Sequence, residues 1–135
     1  MRATLAVLLS ALLLAASSLP AAGAADYPRK DARYHSYPEM VQHIRKVRDE
    51  HPDIVRLFSI GKSHKGRTLW AAEVSDNVGV DEGEPEVLFD GLHHAREHLS
   101  AEQAIYVLDL LAGHYGKPTR LGARVTRLVD RRRTW

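Results

Sequence analysis

Apolar residues recur at helical spacing in three stretches of the chain and gather into strand-like runs in three others. Met40, Ile44 and Val47, with Val41 beside them, form the stripe of a core-facing helix. Ser36-Tyr37-Pro38-Glu39 is a capping box that opens it, and His51-Pro52 ends it. Residues 54–60 and 68–74 read as strands around the turn-rich Gly61-Lys62-Ser63-His64-Lys65-Gly66. A hairpin is predicted there, with Trp70, Ala72 and Val74 on one face. Residues 75–85 form an acidic loop with Gly79 and Gly83. Residues 86–90 read as a short strand whose bulky members Val87, Leu88 and Phe89 are contiguous, which predicts a central strand covered on both faces. Ser100-Ala101-Glu102-Gln103 offers a second capping signal, for a helix that begins as early as Glu97. Its stripe is Ala104, Ile105, Leu108 and Leu111, and Gly113 and Gly116-Lys117-Pro118 close it. Leu121, Val125, Leu128 and Val129 mark one more amphipathic helix. The fold class is α/β: part of a mixed sheet flanked by helices, in one domain.

The first 24 residues change that picture. Arg2 is followed by an apolar run over residues 3–16, broken only by Thr4 and Ser10, then Leu19-Pro20 and the small residues Ala22-Gly23-Ala24. This is the pattern of a signal peptide, and the run is too short to serve as a stable membrane anchor. Export is expected, with a mature, secreted chain over residues 25–135. The chain has no cysteine, which excludes a disulfide framework and thiolate metal ligands. Formal net charge is +2, too small to argue for nucleic acid. Charge is unevenly placed: residues 117–135 carry a balance of +6 and residues 26–116 one of −5. The basic end lacks the interleaved aromatics of a single-strand binder and reads as a solvated helix face. The acidic loop lacks the D-x-D-x-D-G calcium pattern, so its carboxylates read as solvated. His43, alone on the first helix, reads as a surface residue.

The chemistry concentrates at the end of the third strand, in Gly91-Leu92-His93-His94-Ala95-Arg96-Glu97-His98. Imidazole nitrogen and carboxylate oxygen are the zinc ligands available to a chain without cysteine. His94 and Glu97 are i and i+3, so a helical turn would place them on one face. His94 and His98 are i and i+4 and could close on an ion in the same way. Three readings stay open. His94 and Glu97 are two zinc ligands with a third from far along the chain. Or His94-Ala95-Arg96-Glu97-His98 is an H-x-x-E-H motif with two histidine ligands and the glutamate as base. Or the stretch is a polar helix start with solvated histidines. The place, at the carboxyl end of a strand, is where open α/β sheets put their sites.

The sequence resembles the zinc metallocarboxypeptidases of the carboxypeptidase A and T type, most closely the bacterial carboxypeptidase T-like branch. The residues that carry this are Tyr34-His35-Ser36-Tyr37-Pro38-Glu39-Met40, His51-Pro52-Asp53-Ile54-Val55, Ser59-Ile60-Gly61-Lys62-Ser63, Gly66-Arg67-Thr68-Leu69-Trp70 and residues 91–99, a continuous match over about residues 34–116. The resemblance implies an N-terminal part of a mixed-sheet α/β/α carboxypeptidase fold and removal of the C-terminal residue from peptides or proteins. It implies Zn2+ as cofactor, His94 and Glu97 as its first two ligands, and Arg96 as a substrate contact near the scissile carbonyl. It leaves His98 outside the ligand set. The third ligand, the oxyanion arginine, the groups that hold the substrate carboxylate and the general base are expected beyond Trp135, so no catalytic base is expected within this chain. Glu73 and Glu102 are local carboxylates that could stand in. Two alternatives remain: a catalytically inactive remnant or binding module, and a metalloprotease of the H-x-x-E-H kind.

Overall fold

Ser36 and Glu39 start the first helix as their spacing predicts. In α1 (Tyr37–Glu50) the Glu39 carboxylate folds back and accepts hydrogen bonds from the Ser36 backbone N–H at 2.8 Å and the Ser36 hydroxyl at 2.6 Å. This satisfies polar groups that a helix end cannot pair internally. Ile44 and Val47 are buried, and Met40 packs beside them. The structure, a computed structural model, describes residues 33–135. The leader expected over residues 1–24 lies outside the described residues.

The hairpin forms as read. β1 (Val55–Lys62) and β2 (Thr68–Val74) pair antiparallel from Val55↔Val74 to Lys62↔Thr68, with a bulge between Ser59 and Gly61. Trp70, Ala72 and Val74 turn one face to the core, the period-2 alternation of a strand. The Tyr37 hydroxyl donates to the Thr68 carbonyl at 3.1 Å and fastens the start of α1 to β2.

Four more elements follow: β3 (Glu86–Val87), α2 (His98–His114), α3 (Arg120–Val129) and β4 (Arg133–Thr134). The sheet order is β1-β2-β4-β3, antiparallel between β2 and β4 and parallel between β3 and β4. The fold is therefore α/β with a mixed sheet. Its core joins Ile44 and Val47 of α1, Ile54, Val55 and Val74 of the hairpin, Leu108, Leu111 and Ala112 of α2, and Val125 and Val129 of α3.

Three expectations need correction. Among the described residues the run over residues 86–90 is not a central strand. Its ladder bonds reach Phe89, whose N–H donates to the Trp135 carbonyl at 2.8 Å, but β3 lies at the sheet edge. Leu88 is 73% and Phe89 46% exposed. A contiguous apolar run predicts cover on both faces, but among the described residues all three of its bulky members stay exposed. The basic end is not wholly a solvated helix face: Arg133 is buried in β4 and is tied to Glu86 at 3.4 Å, to the Val80 carbonyl and to Glu73. A two-residue strand has no periodicity to read. In α3 only Val125 and Val129 of the predicted stripe are buried, while Leu121 and Leu128 stay exposed.

Candidate metal centre

Backbone geometry and one hydroxyl shape the segment between β3 and α2. A Cβ on Gly91 would stand 2.7 Å from the Ser100 carbonyl oxygen and 3.1 Å from the Ala101 Cα. Only glycine lets this backbone lie against the first turn of α2. Leu92 then takes a left-handed φ of 58°, a conformation that costs a non-glycine residue on the order of 1–3 kcal/mol. Its N–H donates to Ser100 Oγ at 2.7 Å, and that hydroxyl donates to the Glu97 carbonyl at 2.7 Å. Ser100 is therefore not a helix cap as its spacing suggested. It lies inside α2 and staples both ends of the preceding loop.

Between those staples, residues 94–97 make a turn closed by the Glu97 N–H donating to the His94 carbonyl at 3.0 Å. The expected helical turn is absent, because α2 starts only at His98. The side chains still meet, since a β-turn also brings its first and fourth residues together. His94 Nδ1 lies 3.0 Å from Glu97 Oε1, and both side chains are more than half exposed. The His93 ring stands edge-on to that of His94 at 5.1 Å, with its Nδ1 3.2 Å from the Asp90 carboxylate. The His98 ring instead stands edge-on to Tyr34 at 5.5 Å. Arg96 is exposed and makes no hydrogen bond or ion pair among the described residues.

The pair His94 and Glu97 fits a divalent metal. A carboxylate only accepts, so the ring nitrogen facing it carries the shared proton. A nitrogen and an oxygen competing for one proton are the groups a metal takes after displacing it. Their 3.0 Å separation is close to the roughly 3.3 Å expected between two ligands bonded at about 2.0–2.1 Å in a tetrahedral site. No third donor joins them: among the described residues, the group of three close metal-binding side chains is Asp76, Glu82 and Glu84 in the acidic loop. His98 therefore does not close a trio with His94 and Glu97.

Neither stand-in base is available. The Glu73 side chain is 1% exposed and engaged by Arg56 at 2.6 Å, by Arg133 at 3.4 Å and by the Gly79 N–H at 3.1 Å. Glu102 takes the His35 backbone N–H at 2.7 Å on one oxygen and the His35 ring at 2.8 Å on the other. His43 is not a plain surface residue either, since its Nε2 pairs with Asp109 at 2.8 Å. Sequence reading missed both histidine–carboxylate pairs. Their members lie 67 and 66 residues apart, beyond the reach of any local periodicity.

The zinc carboxypeptidase family profile matches residues 40–135. The chain belongs to this family. A zinc carboxypeptidase of Saccharothrix mutabilis subsp. capreolus is 41% identical over 117 residues, 86% of this chain and 26% of that protein. Human carboxypeptidase D is 39% identical over 88 residues, 64% of this chain and 6% of its own length. A solved thrombin activatable fibrinolysis inhibitor superposes with a TM-score of 0.59 at 26% identity, covering 75% of this chain and 24% of that one. Carboxypeptidase A of Helicoverpa armigera superposes with a TM-score of 0.64 at 22% identity, over 97% of this chain and 30% of that one, and speaks for the fold alone. The chain thus spans about a quarter of the length of the bacterial relative, and less of the human one. The family's activity is hydrolytic release of C-terminal residues, and its metal is zinc. Among the described residues no helix is long and apolar enough to cross a membrane.

Proposed function

We propose that this chain is the N-terminal, ligand-bearing part of a zinc carboxypeptidase acting on peptide or protein C-termini, exported by the leader in residues 1–24. The observation that carries the reading is the 3.0 Å approach of His94 Nδ1 to Glu97 Oε1 on a turn at the carboxyl end of β3. His94 and Glu97 hold Zn2+ as two of its three protein ligands. Arg96, on the exposed crest of the same turn, meets the substrate beside the scissile carbonyl. When bound, zinc supplies Lewis-acid polarisation of that carbonyl and a water activated at neutral pH. The third ligand, the general base and the oxyanion arginine belong to sequence beyond Trp135. The chain by itself is then a weak zinc binder without useful turnover. Missing acid–base help removes about 10²–10⁴-fold and a missing oxyanion donor about 10²–10³-fold, not necessarily multiplied.

Calorimetric zinc titration of residues 25–135 tests the ligand assignment. His94→Ala and Glu97→Ala are expected to abolish most of the binding. His98→Phe keeps a ring against Tyr34, removes the nitrogens, and is expected to bind like the parent. If His98→Phe is as damaging as His94→Ala, the H-x-x-E-H reading replaces this one. Release of a C-terminal residue from a blocked dipeptide should stay at background with added zinc. Chelator-sensitive turnover lost in Glu97→Ala would show that a local carboxylate serves as base.

A further inference from the structure

We propose that Tyr34 and His35 are positioning residues for the metal pair: a strap across the first turn of α2 that fixes where Glu97 stands. The inference rests on reading His94 and Glu97 as ligands.

Glu97 occupies the N-cap position of α2, and its side chain makes no capping bond there. First turns of helices fray unless something outside the helix holds them. From inside the helix, Ser100 and the close approach at Gly91 tie the turn to the loop before it. From outside, the hold comes from residues 34 and 35. Tyr34 sets its ring edge-on to His98, the residue after Glu97, at 5.5 Å and 71°. His35 hooks both oxygens of Glu102, with its backbone N–H at 2.7 Å and ring Nδ1 at 2.8 Å. His98 and Glu102 are four residues apart and so share one helix face, about 6 Å apart along the axis. Neighbouring residues of the strap therefore grip successive turns of that face.

The grip continues into α1. The His35 and His43 rings meet edge-on at 5.4 Å, and His43 pairs with Asp109, about two turns further along α2. The strap end of this seam touches the residue next to a ligand, whereas the Asp109 end is remote from it. The two ends should therefore differ in their effect on the metal. Partners that orient ligands from outside the ligand set typically change metal affinity about 10–100-fold when removed.

The experiment uses the full mature chain with Co2+ alone as the probe, because its visible spectrum reports ligand geometry as well as affinity. Tyr34→Ala and His35→Ala are each expected to weaken binding about tenfold, to alter the Co2+ absorption bands, and to speed amide exchange over residues 98–102 in the metal-free protein. Tyr34→Phe, which keeps the ring, should restore all three. His43→Phe keeps the ring against His35 but cuts the remote pair with Asp109; it should lower stability yet leave Co2+ affinity and bands as in the parent. Glu102→Met, which keeps much of the side-chain volume but removes both acceptor oxygens, is the second variant should His35→Ala fail to fold, with the same expected loss. Unchanged affinity and bands in the strap variants, alongside lost binding in His94→Ala, would overturn the strap and leave the ligand pair standing. Equal losses in His43→Phe would reduce the strap to general stability and overturn it as a positioning device. Unchanged binding in His94→Ala and Glu97→Ala would remove the ligand reading, and the strap proposal with it.

Discussion

The hairpin with its three helices and the segment from residue 85 to 97 differ in almost every physical respect. In the first, Val55, Val74, Ala112, Val125 and Val129 are each no more than 3% exposed, within a single joined core. In the second, every residue except Gly91 is exposed, including Val87, Leu88, Phe89 and Leu92. The first is held by burial. The second is held by a steric fit at Gly91, a strained Leu92 and the two hydrogen bonds of Ser100. The first half is thus a platform, and the proposed metal pair sits on a thin ledge beside it. Backbone contacts set the shape of such a ledge, while its side chains remain open to metal, substrate or further chain. Exposed apolar residues in a row beside a sheet edge are also where unwanted pairing starts.

The contrast breaks most sharply at Glu73. This buried carboxylate joins Arg56, its cross-strand partner in β1, to Arg133 in β4 and to the N–H of Gly79. Among the described residues Arg133 Nε has no hydrogen-bond partner, so its approach to Glu73 acts by charge. Glu73→Ala would leave Arg133 buried with the Val80 carbonyl and the outer carboxylates Glu86 and Asp81 near it, but without its one buried counter-charge. A loss of about 3–5 kcal/mol is expected, a large part of a typical total stability of about 5–15 kcal/mol. Urea denaturation checks it. Loss below about 1 kcal/mol would mean that the platform does not depend on this link between its strands.

A matched pair of leucines sharpens the comparison further. Leu111 is 7% exposed in the core face of α2, and Leu88 is 73% exposed on the ledge. Leu111→Ala should cost about 2–5 kcal/mol through lost burial and the cavity left behind. Leu88→Ala should change stability by no more than about 0.5 kcal/mol and should reduce aggregation at high concentration. Denaturant midpoints and light scattering on both variants decide it. Equal costs would mean that Leu88 is covered in solution and that the ledge is not open.

The platform was legible in the sequence because its elements are long enough to repeat. The stripe Met40, Ile44 and Val47 and the alternation Trp70, Ala72 and Val74 each report a burial that packing then satisfies. The meeting of His94 and Glu97 was legible for a simpler reason: residues three apart meet in a β-turn as well as in a helix, so the wrong local structure still gave the right neighbours. What stayed hidden depends on distance along the chain or on sites too short for a period. β4 is two residues long. His35 finds Glu102, and His43 finds Asp109, across most of the domain. Val87-Leu88-Phe89 read as a strand covered on both faces, yet among the described residues all three stay exposed at the sheet edge.

The smallest effect belongs to the end of the platform nearest the strap. Glu39 is exposed, and hydrogen bonds from the Ser36 hydroxyl and backbone N–H hold its carboxyl below the ordinary value of 4.5, with a weaker pull from the charge of His35 and a small opposing cost of desolvation. A group whose folded value is depressed adds stability above its unfolded value and loses it as pH falls through the folded one. Glu39→Gln should therefore melt slightly below the parent at neutral pH. The gap should begin to narrow as pH falls past about 4.5 and close once the parent's Glu39 is protonated in the folded state. Because a glutamine at this position can still accept from Ser36, the pH-dependent part of the difference isolates the charge from the hydrogen-bond geometry. Melting curves of both proteins across the acid range provide the check. A gap that stays constant down to pH 3 would show that the carboxylate's charge contributes nothing, and that the box caps α1 by geometry alone.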